Sequence, residues 1–207
     1  MYIRKDGYYK LAKQQGFRSR ASFKLIQLND SYHIIRQGSR VLDIGAAPGG
    51  WMQVLLNVVG STGTVVGLDI LDILPIHAPN AVLIKGDVRD PAVQQQARAA
   101  INGKFDMVVS DISINISGNA PTDTEGNLGL SGTIVSLLPG LLKSNGNFLI
   151  KLFYSPALRP LQDRIRGCFR EVFTTKPPAS RRSSSELYLI ARGFKPVHAE
   201  AIRAGDR

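Results

Sequence analysis

Val41-Leu42-Asp43-Ile44-Gly45-Ala46-Ala47-Pro48-Gly49-Gly50-Trp51 is the stretch from which the rest of the chain can be read. A short apolar run carrying an acidic residue passes through a turn of Gly and Pro. It opens into Met52-Gln53-Val54-Leu55-Leu56-Asn57-Val58-Val59, which reads as helical. The pattern is a strand, a tight loop and a helix start. In an open α/β sheet such a loop lies at the carboxyl end of a strand, where ligands bind, and its glycines let the backbone approach a ligand without a Cβ in the way. Taken alone, the loop is equally compatible with an ordinary βα turn.

The loop discriminates between ligands. A dinucleotide site asks for G-x-G-x-x-G with the pyrophosphate at the helix N-terminus, and Gly45 to Gly50 spell G-A-A-P-G-G instead. A phosphate-cradling loop would end in Gly-Lys-Ser/Thr, which is missing here. Two acidic residues then follow the next two apolar runs: Asp69 after Gly63-Thr64-Val65-Val66-Gly67-Leu68, and Asp87 after Ala81-Val82-Leu83-Ile84-Lys85-Gly86. A carboxylate after the second strand can accept hydrogen bonds from ribose hydroxyls, and one after the third can reach a base edge. A nucleoside pocket without a phosphate clamp is what S-adenosylmethionine requires.

Composition sets the outer bounds. A chain of 207 residues, 43% hydrophobic and 20% charged, is expected to form one globular domain with a continuous core. Cys168 is the only cysteine, so no intramolecular disulfide and no cysteine-based zinc site is expected, and it reads as a small buried apolar residue. His33, His77 and His198 lack ligand spacing, so no metal is expected. The 26 Lys and Arg against 16 Asp and Glu give a formal net charge of +10, which favours a polyanionic partner. No apolar run reaches the roughly 18 residues of a membrane span and Met1-Tyr2-Ile3-Arg4-Lys5-Asp6 is not a signal peptide, so a cytoplasmic protein without a membrane partner is expected.

Residues 1–20 form a basic arm, with Arg4, Lys5, Lys10, Lys13, Arg18 and Arg20 among Tyr2, Tyr8, Tyr9 and Phe17. Cations that neutralise phosphates and rings that stack on unpaired bases suit RNA; a flexible solvated arm is the alternative. A single folded domain is expected over 21–195 and a patternless tail over 196–207. Phe23, Ile26, Leu28 and Ile34 fit a helix from Ala21 to Ile35, with Lys24 among them. Strands follow near 64–69 and 81–86, a helix near 91–101, and a strand Phe105 to Asp111. A long polar loop over 112–129 carries Asn115, Ser117 and Gly118. Then come a helix from Leu130 to Leu142, a strand Asn147 to Phe153, a helix near 157–167, a strand at 169–174, a basic linker from Lys176 to Ser185, and a last strand from Glu186 to Ala191. This alternation argues a mostly parallel sheet with helices on both faces.

Four charged residues stand where charge is costly: Lys24 on an apolar helix, Asp111 ending a strand, Lys151 within one and Glu186 starting one. Structural ion pairing would explain them, but Asp111 and Lys151 lie on the same carboxyl edge as Gly45 and Asp69. Arg18-Ser19-Arg20-Ala21-Ser22-Phe23-Lys24-Leu25, Leu42 to Trp51, Ser110-Asp111, Asn115-Ile116-Ser117-Gly118, Lys151-Leu152-Phe153 and Ser185-Glu186-Leu187-Tyr188 together resemble, in order, the FtsJ/RrmJ-type ribose 2′-O-methyltransferases over residues 16 to 192. The resemblance implies a Rossmann-like α/β fold with a seven-stranded, mostly parallel sheet whose last strand is antiparallel. It places a Lys-Asp-Lys-Glu tetrad on Lys24, Asp111, Lys151 and Glu186, and contacts to S-adenosylmethionine on Gly49, Trp51, Asp69, Asp87 and Asp111. One departure stands out: Asp111-Ile112-Ser113-Ile114-Asn115 lacks the Ala-Pro that the family usually has between aspartate and asparagine, which frees a backbone torsion beside Asp111.

A ribose 2′-hydroxyl is a weak nucleophile and must lose its proton as it attacks a sulfonium methyl in line. Lys151 is the candidate base, Asp111 orients it, and Lys24 with Glu186 positions the ribose. The resemblance implies a uridine of large-subunit ribosomal RNA as the substrate, free or within the large ribosomal subunit, acted on by a monomer. Ribose methylation of tRNA is the alternative. A non-catalytic RNA-binding ribosome-assembly factor is an alternative of another class, disfavoured by the intact tetrad. Methylation of a base or a protein is disfavoured by the lysine pair and by the lack of an Asn/Asp-Pro-Pro-Tyr/Phe motif.

Overall fold

The computed structural model of the chain describes residues 7–113 and 120–196. The expected alternation of strands and helices closes into one seven-stranded sheet. The strands are β1 Arg40–Ile44, β2 Thr64–Asp69, β3 Ala81–Lys85, β4 Phe105–Ser110, β5 Leu142–Phe153, β6 Glu171–Thr175 and β7 Glu186–Arg192, in the order β3-β2-β1-β4-β5-β7-β6. Neighbours from β3 to β5 pair in parallel, while β7 runs antiparallel to both β5 and β6, as expected for a last strand inserted in reverse. The helices are α1 Gly7–Gln14, α2 Ala21–Tyr32, α3 Gly50–Val59, α4 Pro91–Ala99, α5 Ala120–Leu141 and α6 Arg159–Cys168.

Because the central strands are apolar on both sides, both sheet faces are covered. One core joins α2 and α3 to one face through Leu25, Leu28, Met52, Leu55, Val65 and Tyr188. The other packs α5 and α6 on the opposite face through Ile134, Leu138, Leu161, Phe105, Phe148 and Leu189. Cys168 is buried and unpaired. Among the described residues no helix is long and apolar enough to cross a membrane.

Several boundaries differ from the sequence reading. Residues 120–129, read as loop, form the first turns of α5. Pro121 at its second position is a helix-start signal that the surrounding polar residues and glycines hid, and Leu128 and Leu130 pack against the core. The strand expected at Asn147 begins at Leu142, because Leu142 pairs with Phe105 before an irregularity that includes Asn145 in the left-handed region at φ 62°. The helix expected to reach Ile35 ends at Tyr32, where His33 turns the chain at φ 47°. The described part of the basic arm, residues 7–20, begins with α1, which buries Ala12, and the rings of Tyr8 and Phe17 each lie 5.6 Å from that of Phe23. Tyr2, Arg4, Lys5, Asn115, Ser117, Gly118 and the tail beyond 196 lie outside the described residues.

Register builds the site. Ile44 pairs with both Leu68 and Ser110, and Ser110 pairs with Ile150. One residue further on, Asp69, Gly45, Asp111 and Lys151 therefore form a single row along the carboxyl edge of the sheet. Antiparallel β7 completes it by setting Tyr188 opposite Lys151 and Glu186 opposite Phe153.

Candidate active site

The four charged residues singled out in the sequence converge as two ion pairs. Lys24 Nζ, on the first turn of α2, lies 2.8 Å from each carboxylate oxygen of Glu186 at the start of β7. Lys151 Nζ lies 3.2 Å from Asp111 Oδ1 and donates to the Asp111 backbone carbonyl at 2.5 Å. All four side chains are largely buried, between 8% and 18% exposed. Tyr188 joins the pairs: its hydroxyl donates to Asp111 Oδ1 at 2.8 Å, and Lys24 Nζ sits 5.6 Å from its ring centroid. The tyrosine is fully buried, and burial followed by the charges of Asp111 and Glu186 pushes its ionisation up, so it remains a donor. Burial pushes the Glu186 carboxyl up, but the hydrogen bond and charge of Lys24, with Lys151 beyond, outweigh it and hold the group below the usual glutamate range.

Across the row, β1 and its loop make the other half of the site. Gly45, at φ 82°, presses against Ile112 so closely that a Cβ would lie 2.8 Å from Ile112 Cβ. Gly49, at φ 105°, caps α3, and a Cβ there would lie 2.5 Å from Arg18 Nη1. Both positions need glycine for conformation and for space. Arg18 reaches over the loop and donates to Pro48 O at 3.1 Å, to Leu74 O at 2.7 Å and to Pro75 O. It thereby ties the glycine loop to the segment after β2. Asp69 accepts from the backbone N–H groups of Ala47 and Leu71, each at 2.9 Å, so its carboxylate braces both walls.

The remaining predicted contacts are placed differently. Trp51 is only 4% exposed; its indole donates to Ala21 O at 2.9 Å and its ring packs 6.2 Å from that of Tyr188, making it a strut between α2 and α3. Asp87 lies two residues past Lys85, the end of β3 that pairs with Asp69, and is half-buried. There it is gripped by Arg89, whose hydrogen bonds hold its carboxyl below the usual range.

Three features of the site were not read from the sequence. Asp43 is wholly buried in β1 and, among the described residues, neither of its carboxylate oxygens has a hydrogen-bond partner. Burial, then the nearby charges of Asp111 and Asp69, push its pKa well above the usual range. The Tyr188 hydroxyl was legible in principle, since Tyr188 lies two residues after Glu186 on the same face of a strand. The bridging of two loops by Arg18 had no signature. Asp69 and Asp111 around a glycine loop without a lysine suit a ligand that carries positive charge and a ribose and no phosphate. S-adenosylmethionine, with its ammonium and sulfonium groups, fits that description.

The chain is similar to known proteins along most of its length. The family model described as FtsJ-like methyltransferase matches residues 17–194. "Ribosomal RNA large subunit methyltransferase E" of Methanobrevibacter smithii is 40% identical, over 92% of this chain and 91% of its own length. Its namesake from Methanocaldococcus jannaschii is 42% identical over 92% and 79%. Among solved structures, a Plasmodium falciparum protein described as a ribosomal RNA methyltransferase superposes with a TM-score of 0.76 at 28% identity, covering 86% of this chain and 98% of its own. Aeropyrum pernix fibrillarin with bound S-adenosyl-L-methionine shares the fold, with a TM-score of 0.56 at 16% identity over 84% and 74% of the two chains.

Proposed function

The chain belongs to the FtsJ-like methyltransferase family, and from that premise we propose that it methylates a ribose 2′-hydroxyl of RNA, the target being a uridine of large-subunit ribosomal RNA. The observation that carries the proposal is the convergence of Lys24, Glu186, Lys151 and Asp111 on Tyr188, at the edge where the glycine loop ends. S-adenosylmethionine, when bound, supplies an electrophilic methyl group on a positively charged sulfur. Its contacts are assigned to Gly49, Asp69 and Asp111, with Trp51 acting through the packing of α2 on α3 and Asp87 at the outer rim.

The chain's own residues do the rest. Lys151 takes the hydroxyl proton as the oxygen attacks, and Asp111 aims it: the carboxylate and the carbonyl of Asp111 occupy two directions around Nζ and leave a third for the acceptor. Lys24, locked onto Glu186, presents its N–H groups to the ribose. The formal charge of +10 and the basic residues of α1 and the 176–185 linker attract the RNA backbone. A monomer suffices for this scheme, working on ribosomal RNA either free or within the large subunit.

The test compares 2′-O-methyl maps of total RNA from cells with the gene, without it, and with Lys151→Arg in its place. One large-subunit uridine should lose its methyl group in the second and third, and the purified variant should transfer methyl groups at least about 100-fold more slowly while still binding the cofactor. A Lys151→Arg rate equal to that of the wild type would end the base assignment and favour stabilisation by a permanent cation. A lost methyl group in tRNA instead would redirect the substrate.

A further inference from the structure

The strands that carry the active site at their carboxyl ends leave a second concavity at the opposite edge of the sheet. Phe105 pairs with Leu142 but Met107 with Asn147, so residues 143–146 of β5 bulge out opposite Asp106 alone. Asn145, in the left-handed region, belongs to this bulge, and His33, left-handed as well, turns the chain after α2. Asn147 Nδ2 ties the two segments together by donating to Ile34 O at 3.1 Å. Two adjoining hollows of about 440 and 500 Å³ result, sharing Arg36, Asn145 and Asn147. Arg170 and Arg192 close the larger one, where β6 begins and β7 ends.

Charge is unevenly matched there. Lys143 is held by Asp106 at 2.5 Å, and Arg192 lies 3.6 Å from Glu171 while donating to Tyr32 O. Both carboxylates that line the hollows are thereby engaged. Arg36 and Arg170 line the same hollow, both are exposed, and neither side chain has a carboxylate or hydrogen-bond partner among the described residues. Arg170 is nonetheless held in place. Its backbone N–H donates to Arg192 O at 2.9 Å and its side chain crosses Gly193, where a Cβ would lie 2.9 Å from Arg170 Cδ. Two guanidinium groups at one hollow repel each other unless an anion joins them, and the planar fork of arginine matches a phosphate.

From this placement we propose that the concavity binds the sugar-phosphate backbone of RNA through Arg36 and Arg170, as a second contact remote from the methylated ribose. The proposal rests on the ribose-methylation reading above and deepens it. Arg192 follows Tyr188 by four residues of β7, and Asn147 precedes Lys151 by four residues of β5, about 13 Å along the sheet in each case. A strand lying in the active site is thus on the other edge of the sheet, and the second contact falls to another segment of a folded RNA. Phosphate contacts fix register and orientation without reading sequence. Large-subunit ribosomal RNA therefore gains affinity that an isolated target stem-loop does not.

The test uses the purified protein with Arg36→Gln and Arg170→Gln, singly and together. Equilibrium binding to large-subunit ribosomal RNA is measured against salt, alongside steady-state methylation of that RNA and of a stem-loop carrying the mapped target nucleotide. The double variant should bind the long RNA about tenfold or more weakly, and its logarithmic salt slope should fall by about two, one for each lost phosphate contact. KM for the long RNA should rise, with kcat and S-adenosylmethionine affinity within about twofold of wild type, and stem-loop kinetics should not change. An unchanged salt slope overturns the assignment. So does an equal loss on stem-loop and long RNA, which is what a general loss of positive charge produces. Wild-type affinity for naked RNA with weakened binding to the assembled subunit also overturns it, and points to an acidic protein as the partner. If the wild type methylates no RNA, the underlying reading falls, while the salt slope still decides the concavity.

Discussion

At the middle of the sheet, Asp43 holds a carboxyl group without a partner in a fully buried place. Its pKa in the folded chain is raised above the ordinary 3.8. Below that ordinary value both folded and unfolded chains keep the proton. As pH rises the unfolded chain ionises first, so this residue's contribution to stability is lost progressively until pH passes the folded value. Asp43→Asn should therefore flatten the pH dependence of the urea midpoint above about pH 4. An unchanged slope would mean that the carboxyl is ionised in the folded chain. Tyr188→Phe removes a hydrogen bond to a charged acceptor, an interaction worth about 1.5–3 kcal/mol. With the ring retained and the fold intact, single-turnover methyl transfer should fall about tenfold or more while cofactor affinity, measured by calorimetry, changes less.

Elements meet at this site through what side chains leave open. The close approach of α2 to α3 depends on Gly50 lacking a Cβ, which would lie 3.0 Å from Ser22 Oγ in α2 and 2.5 Å from Ser19 Oγ just before it. The α3–β2 contact depends on Gly67, where a Cβ would lie 2.2 Å from Met52 Sδ. Gly67→Ala should overpack that contact and cost about 1–3 kcal/mol in chemical denaturation. Arg18 joins elements by hydrogen bonds to three carbonyls of two loops. Arg18→Ala should leave global stability nearly unchanged, weaken S-adenosylmethionine binding about tenfold and speed amide exchange over residues 70–79. Full exchange protection there without the guanidinium would show that the loop holds itself.

For the molecule as a whole, Glu186, Asp106 and Asp163 pull stability the other way from Asp43 on acidification. Burial raises the Asp106 carboxyl, but hydrogen bonds from Lys143 and the Arg40 backbone outweigh it, and Arg166 lowers Asp163. With folded values depressed, these groups contribute above their ordinary range and lose that contribution as pH falls through the folded values. Glu186→Gln should remove part of that acid-side loss and, by leaving Lys24 buried beside a neutral partner, cost on the order of 3 kcal/mol at neutral pH. The overall basic charge makes a further expectation: RNA affinity should fall linearly with salt on logarithmic axes, and a flat profile would remove phosphate contacts from the account.

The layer order, the cofactor loop and the tetrad were legible in the sequence because each rests on local rules. A run of β-branched residues makes a strand, glycines mark where Cβ atoms would collide, and a charge inside an apolar run demands a partner. The same local rules misplaced the start of α5, where polar residues that belong to a helix surface read as loop. The packing of Trp51 between α2 and α3 needed coordinates, because the composition of its own segment does not record what lies opposite the indole. What only the tertiary structure decided was register. A shift of one residue between β5 and β7 would turn Tyr188 and Glu186 to the other face of the sheet, because side chains alternate along a strand. The sequence determined that Lys24, Asp111, Lys151 and Glu186 would stand in apolar surroundings; the packing of α2 and β7 on the sheet decided that Lys24 would pair with Glu186 and Lys151 with Asp111, and that Tyr188 would stand between them.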